Sequence, residues 1–337
     1  MKRTLQSVCI SLALLLAGKG AQAQADPHFS VYYVYPAWLN PALTGVFDGS
    51  YRVAGIYRTQ WGNISSPYST PGVAFDIQST RNANFGACLL NQTAGDGGYT
   101  YTTAYGNAAF TGLRFGPMES KRVVMALQFG LIQRGFNVDK FMPGERWDPI
   151  TGYNPAAPIN DPLMQASNKS STFDMGAGAF YYDAMPGQKM NAFGGFSISH
   201  LTKPKDNFSK NGNSVIPMRF TFHGGVRYKL NEKTSITPNF LFMKQGTAQE
   251  IMAGAYGQFK VNDNTDFMAG LNFRVRDAFA PFVGFVHKSF QLGASYDINV
   301  SQLGKVAPGT SSFEISLSYI GRKVTKTPEA EFVCPRL

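Results

Sequence analysis

Histidine, cysteine and charge are all scarce in this chain of 337 residues. The four histidines, His28, His200, His223 and His287, lie far apart, and none has a cysteine or second histidine at metal-ligand spacing, so no metal centre is expected. Only 15% of residues are charged and no segment is dense in Lys or Arg, which argues against a nucleic-acid partner despite a formal charge of +10. Three cysteines, Cys9, Cys88 and Cys334, can staple a fold but not define one. No G-x-S-x-G and no P-loop occurs, and no Ser, His and acid stand out as a hydrolytic set. The glycines of "TAGDGGYT" (93–100) lack the spaced carboxylates of a calcium loop and read as a tight turn between strands. An enzyme is therefore not expected, nor a cofactor. After the N-terminal apolar run no stretch of 18 apolar residues follows, so a transmembrane helix is excluded and any membrane span must be made of strands.

What is present begins with a leader. Lys2 and Arg3, the apolar run Val8 to Ala17 and the small-residue pattern Ala21-Gln22-Ala23 read as a secretory signal over 1–23. Cys9 leaves with it, and loss of Lys2, Arg3 and Lys19 lowers the formal charge from +10 to +7. A mild basic excess suits a surface facing anionic lipid headgroups, so outer-membrane lipid is one expected partner. Cys88 and Cys334 remain, either as a disulfide formed in an oxidising compartment or with Cys88 as a free thiol in a strand.

The mature sequence is rich in glycine (35 residues) and aromatics (14%), and from Tyr51 it breaks into short runs of period two. Phe290, Leu292, Ala294, Tyr296 and Ile298 alternate with Gln291, Gly293, Ser295, Asp297 and Asn299; Phe313, Ile315, Leu317 and Tyr319 alternate with Ser312, Glu314, Ser316 and Ser318. Such runs match the roughly 9 to 11 residues that a tilted strand needs to cross the hydrocarbon. Fourteen strands are predicted near 51–59, 72–80, 84–91, 99–115, 121–133, 172–182, 190–200, 216–230, 234–243, 250–260, 266–276, 280–287, 289–299 and 312–320. Pro238 weakens the ninth, because it forbids one ladder bond. Connections after even-numbered strands are short, whereas 60–71, 134–171, 201–215 and 301–311 are long. A soluble β-sandwich also alternates but has no reason to sort its loops; an outer-membrane barrel has short periplasmic turns and long outer loops. This sorting predicts an all-β transmembrane barrel of about 14 antiparallel strands over 51–320, with both termini and a tail, 321–337, in the periplasm. Arg219, Arg227, Arg274 and Arg276 alternate with lipid-type residues and are expected in the lumen, where Asp174, Asp297 and Glu314 are candidate partners.

Before the first strand stands "DPHFSVYYVYPAWLNPALTG" (26–45), aromatic, proline-stiffened and nearly uncharged. Within the N-terminal segment 24–50, the residues preceding Pro36 and Pro41 are biased to extended backbone. A barrel of this size is too wide for its strand side chains alone to fill.

Several motifs in order resemble the PorP/SprF family of type IX secretion system membrane proteins of Bacteroidetes-type bacteria. They are "DPHFSVYY" (26–33), "LNPALTG" (39–45), "YRTQW" (57–61), "IQRGF" leading to "FMPGERW" (141–147), "FGGFSISHLTKPKDNF" (193–208), "IPMRFTFHGGVRY" (216–228), "PNFLFMKQG" (238–246) and "CPRL" (334–337). The resemblance implies a barrel similar to the long-chain fatty-acid transporter type, with an N-terminal plug. It implies a role in secretion or gliding: holding, at the cell surface, secreted cargo with a type B C-terminal sorting domain, with other type IX components as further partners. Asp26, Pro27, His28, Phe29, Tyr32, Tyr33, Trp38, Asn40 and Pro41 then form the plug motif. Phe141, Trp147 and Tyr153, in the long 134–171 loop, are candidates for contact with the partner. The alternative is a passive channel or hydrophobic-compound transporter.

Overall fold

Alternation of apolar and polar side chains becomes a wall with a greasy outside and a polar inside. The computed structural model describes residues 26–62, 67–95, 98–137, 144–158, 169–205, 215–301 and 311–322. The leader, Phe141, Cys334 and the tail after Arg322 lie outside the described residues. Fourteen antiparallel strands form a closed barrel: β1 (Tyr51–Gln60), β2 (Tyr68–Gln78), β3 (Ala83–Ala94), β4 (Tyr99–Phe115), β5 (Lys121–Gly135), β8 (Lys169–Asp183), β9 (Met190–Ser199), β10 (Arg219–Lys229), β11 (Thr234–Gln245), β12 (Ala248–Asn262), β13 (Thr265–Arg274), β14 (Ala278–His287), β15 (Phe290–Asn299) and β16 (Ser312–Gly321). Closure is made by β16 against β1, from Tyr51 opposite Gly321 to Gln60 opposite Ser312. The two-residue strands β6 (Trp147–Asp148) and β7 (Gly152–Tyr153) pair separately as a small hairpin in the long connection after β5. Among the described residues, no helix is long and apolar enough to cross a membrane.

In β1, Arg52, Ala54, Ile56, Arg58 and Gln60 are buried inward while Val53 and Tyr57 face out. Outward positions elsewhere carry Phe75, Phe85, Leu127, Phe129, Phe222, Phe240, Phe285, Leu292 and Leu317, all exposed, which forms the apolar belt that lipid requires. Three strands tolerate a proline by giving up pairing on one side only. Pro238 keeps its place opposite Ala255 of β12, and the break falls on the β10 side, between Gly225–Asn239 and Tyr228–Ile236. Pro71 similarly keeps its partner Tyr57 in β1 while the ladder to β3 skips from Ser69 to Gly72. Pro281 pairs with Leu271, and the β14–β15 ladder lacks the rungs between Phe279 and Phe282. A missing N–H removes one bond on one flank, which a closed barrel absorbs.

One end of the barrel carries only short connections, from Gln78 to Ala83, Phe115 to Lys121, Asp183 to Met190, Lys229 to Thr234, Asn262 to Thr265 and His287 to Phe290. The other end carries the four long ones, together with three short ones after β3, β11 and β13. Tyr51 and Gly321 share the short-turn end. The chain's described start does not: Asp26 binds groups at the long-loop end, and residues 26–47 descend through the barrel before β1 begins. The expectation that the N-terminal segment begins at the same end as the barrel's two closing strands is thereby corrected. The segment is also less extended than proline alone suggests. Asn40 is extended (φ −157°, ψ 121°), but Tyr32–Val34, Pro36–Leu39 and Pro41–Leu43 are single helical turns, the last two opening on a proline whose missing N–H costs a helix nothing there.

Candidate functional site

Fourteen strands enclose more space than their inward side chains can occupy, and the N-terminal segment occupies that space. Of residues 26–47 all but Val34 are buried, and their partners lie on strands around the whole circumference. Tyr33 packs against Tyr256 (5.3 Å between ring centroids) and edge-on against Phe282 (5.7 Å). Phe29 meets Tyr35 edge-on, and the Tyr32 hydroxyl donates to Asn239 Oδ1 at 2.8 Å. Trp38 Nε1 donates to the Pro27 carbonyl at 2.9 Å, and the Arg219 guanidinium lies 4.8 Å over the Trp38 ring.

Asn40 shows why this sequence needs its particular wall. Its Oδ1 accepts from the Ala42 amide (2.9 Å), capping the turn that Pro41 begins, while its Nδ2 donates to the carbonyls of Ala179 (3.1 Å) and Phe196 (3.3 Å). The wall at that point is glycine: a Cβ on Gly178 would lie 2.0 Å from Asn40 Oδ1, and one on Gly195 would lie 2.8 Å from Asn40 Nδ2. The glycines of "GAGAF" and "GGFS" thus mark close approach of the segment, and not a nucleotide site.

Near the long-loop end two charge clusters grip the segment. In the first, Asp26 Oδ2 accepts from Arg219 Nη1 at 2.9 Å and faces His200 Nε2 at 2.8 Å, while Tyr101 donates to Asp26 Oδ1 at 3.1 Å. The other ring nitrogen of His200 lies 2.7 Å from Asp174 Oδ2, which also accepts from Tyr105 at 2.7 Å. Burial alone would lower the His200 pKa, but the two carboxylates outweigh it and raise it to about 9, so the imidazole is a cation donating from both nitrogens. Burial likewise pushes Asp26 up, and His200 and Arg219 more than reverse this, holding its carboxyl well below the usual range.

The second cluster surrounds Ser30. Its amide donates to Glu314 Oε1 (2.6 Å), its hydroxyl donates to Asp297 Oδ2 (2.7 Å), and its carbonyl accepts from Asn272 (2.9 Å). Arg58 pairs with Glu314 and with Asp297 (3.1 Å), and Arg274 pairs with Asp297 (2.8 Å). Two arginines thus meet two carboxylates, a balance required of charges this deeply buried. At the short-turn end Asp76 accepts from Arg52 (2.8 Å) and from the Gly45 amide (2.8 Å), fixing the exit toward β1.

Of the predicted lumen arginines, Arg219 and Arg274 are buried in these clusters. Arg227 is half-buried near the short-turn end, its Nε 3.5 Å from Ser235 Oγ. Arg276 is a correction: β13 ends at Arg274, so Arg276 sits exposed in the following turn with φ 65°, at the rim and not on the wall. Asp297 pairs with Arg274, one of the arginines it was matched with, whereas Glu314 pairs with Arg58 and Asp174 with His200. Arg58, among the largest fully buried side chains, and Ser30 were missed. The available signals were Arg58's place on the inward parity of β1 with Ala54 and Ile56, and the positions of Ser30 and Arg58 inside the motifs "DPHFSVYY" and "YRTQW". Among the described residues Cys88 is a free buried thiol, in a cluster with Phe29, Tyr35 and Trp38, and its candidate partner Cys334 lies outside them. On the long-loop face Trp147 and Tyr153 stand across the β6–β7 hairpin, 5.9 Å apart, with Ile150 at its tip 93% exposed.

The family profile described as "Type IX secretion system membrane protein PorP/SprF" matches residues 21–319. The chain belongs to the PorP/SprF family. No curated protein matches it. Among solved structures it is similar to the Pseudomonas putida toluene transporter TodX, at 8% identity and a TM-score of 0.52, covering 88% of this chain and 98% of that one. It is also similar to the Ralstonia pickettii toluene transporter TbuX, at 10% identity and a TM-score of 0.51, covering 84% and 92%. At such identity the likeness concerns the fold: this PorP/SprF protein is an outer-membrane β-barrel associated with type IX secretion.

Proposed function

We propose that this PorP/SprF barrel is a surface anchor whose long-loop face holds a secreted protein bearing a type B C-terminal sorting domain, in service of secretion or gliding. The short turns then face the periplasm and the N-terminal segment acts as a plug. The observation that carries this reading is the filled lumen: a segment held by three buried charge clusters leaves the outer loops, and not a pore, as the working surface. The β6–β7 hairpin, with Trp147 and Ile150 exposed and Tyr153 half-buried, supplies apolar surface that a protein partner would bury. A passive channel for hydrophobic compounds is the second reading, suggested by the toluene-transporter neighbours. Against it, the cavity of about 480 Å³ at the short-turn end carries many charged groups in its lining, among them Arg52, Arg227, Lys229 and Asp266. Deleting 148–168 should leave the barrel assembled and abolish surface retention of the cargo; undiminished surface cargo would remove the loop from the proposal.

A further inference from the structure

At the long-loop end the N-terminal segment does not fill the barrel evenly. Beside it, against β10 to β13 and the turn after β13, lies a cavity of about 340 Å³ whose lining includes Pro27, His28, Arg219, Gln245, Gln249 and Glu250. That size falls within the roughly 300 to 1,000 Å³ of small-molecule sites. The cavity's charges balance: Arg219, Arg274 and Arg276 stand against Asp26, Glu250 and Asp277, and the first two arginines already pair with Asp26 and with Asp277. His28 adds no charge, because burial first, and then Arg274 and Arg58, hold its pKa well below the ordinary value.

Among the described residues, three polar atoms of the lining have no hydrogen-bond partner: His28 Nε2, Glu250 Oε1 and Arg219 Nε. The His28 side chain is only 5% exposed, and its Nε2 lies 3.7 Å from Glu250 Oε2, too far for a hydrogen bond. Leaving such atoms unpaired is costly, and a cavity is where a ligand can satisfy them. The set is mixed: a carboxyl oxygen that accepts when ionised and donates when protonated, a guanidinium N–H that only donates, and a neutral imidazole nitrogen that does either according to tautomer. A carboxylate or phosphate would suit Arg219 but confront Glu250. An ammonium group would suit Glu250 but meet three arginines. A hydroxyl donates and accepts, so a neutral polyhydroxylated ligand fits all three atoms. Met243, Ala248 and Val275 offer apolar surface for the C–H face of a sugar ring.

We propose that this cavity is a carbohydrate site, taking the end of a neutral saccharide at the long-loop mouth independently of any cargo. The test uses the purified full-length barrel in lauryldimethylamine oxide, a detergent without a sugar headgroup, with maltose and N-acetylglucosamine as neutral probes and propionate and methylammonium as charged ones. Saturation-transfer NMR should show saturable binding of at least one sugar and neither ion. Glu250→Gln should weaken that binding about tenfold or more, since a charge-assisted hydrogen bond is lost. Gln249→Ala, at an exposed lining position, should weaken it less and serves as the variant least able to disturb folding. Wild-type protein that binds neither sugar, that binds a charged probe better, or that holds ordered water only would overturn the proposal. So would sugar binding indifferent to Glu250→Gln in a barrel that migrates normally before heating.

Discussion

Replacing Asp26 by alanine should unlatch the top of the N-terminal segment without opening the barrel wall. The Asp26 carboxylate takes a hydrogen bond from Arg219 at 2.9 Å, one from Tyr101 at 3.1 Å, and faces His200 at 2.8 Å. Removing one member of a buried charged set costs about 3 to 5 kcal/mol because its partners are left uncompensated. Here the lower end applies, since His200 keeps Asp174 and Arg219 keeps Ser199 and the Trp38 carbonyl. At about 1.4 kcal/mol per tenfold, a loss of about 3 kcal/mol raises the population of the detached state by roughly 100-fold. Cys88 reports it: the thiol is buried in one cluster with Phe29, Tyr35 and Trp38 and should become reachable when they leave. In a Cys334→Ser background, a charged methanethiosulfonate reagent at pH 7.5 should label Asp26→Ala about two orders of magnitude faster than its parent. Equal labelling rates in a barrel that still shows heat-modifiable migration would refute the reasoning.

The same latch should respond to alkali. The His200 pKa is raised from 6.5 to about 9, so its contribution is fully present below 6.5 and lost as pH rises through about 9; bilayer recordings should show opening events appearing above pH 9, and His200→Gln should abolish that pH step. Asp26, held below its ordinary 3.8, contributes above that value and is lost as pH falls through its lowered pKa, so no opening is expected between pH 5 and 8. Gly178→Val should expel the Asn40 turn, because even a Cβ there would lie 2.0 Å from Asn40 Oδ1; proteolysis of the N-terminal segment in the folded barrel should become at least tenfold faster than in wild type. Trp147→Ala with Ile150→Asp should leave the unfolding midpoint unchanged, both residues being exposed, and reduce cargo retention severalfold in a surface-labelling assay.

The barrel was legible because lipid outside and polar groups inside impose period two on every strand, and the sorted loop lengths supplied the topology. Strand limits strayed where punctuation misled: β2 starts at Tyr68, ahead of Pro71, because proline loses only the bond toward β3. Parity pointed Arg219 and Arg274 inward, where both are buried, but could not foresee that β13 turns at Val275, which takes Arg276 to the rim. The grip on the N-terminal segment was not legible. Ser30 and Glu314 are 284 residues apart, and Asp26 and His200 are 174 apart. Only closure brings them together, so no local spacing announces them. Nor does any local pattern show what the glycines facing Asn40 pack against. The β6–β7 hairpin is held by only two residue pairs, too few for any periodicity to show.

Single-channel recording in planar bilayers tests the central claim most directly. The account predicts that the purified wild-type barrel gives no steady pore at pH 7.5, and that deleting 26–45 converts it into one of large, constant conductance. A wild-type barrel that conducts steadily, or a deletion that assembles and stays silent, would contradict it.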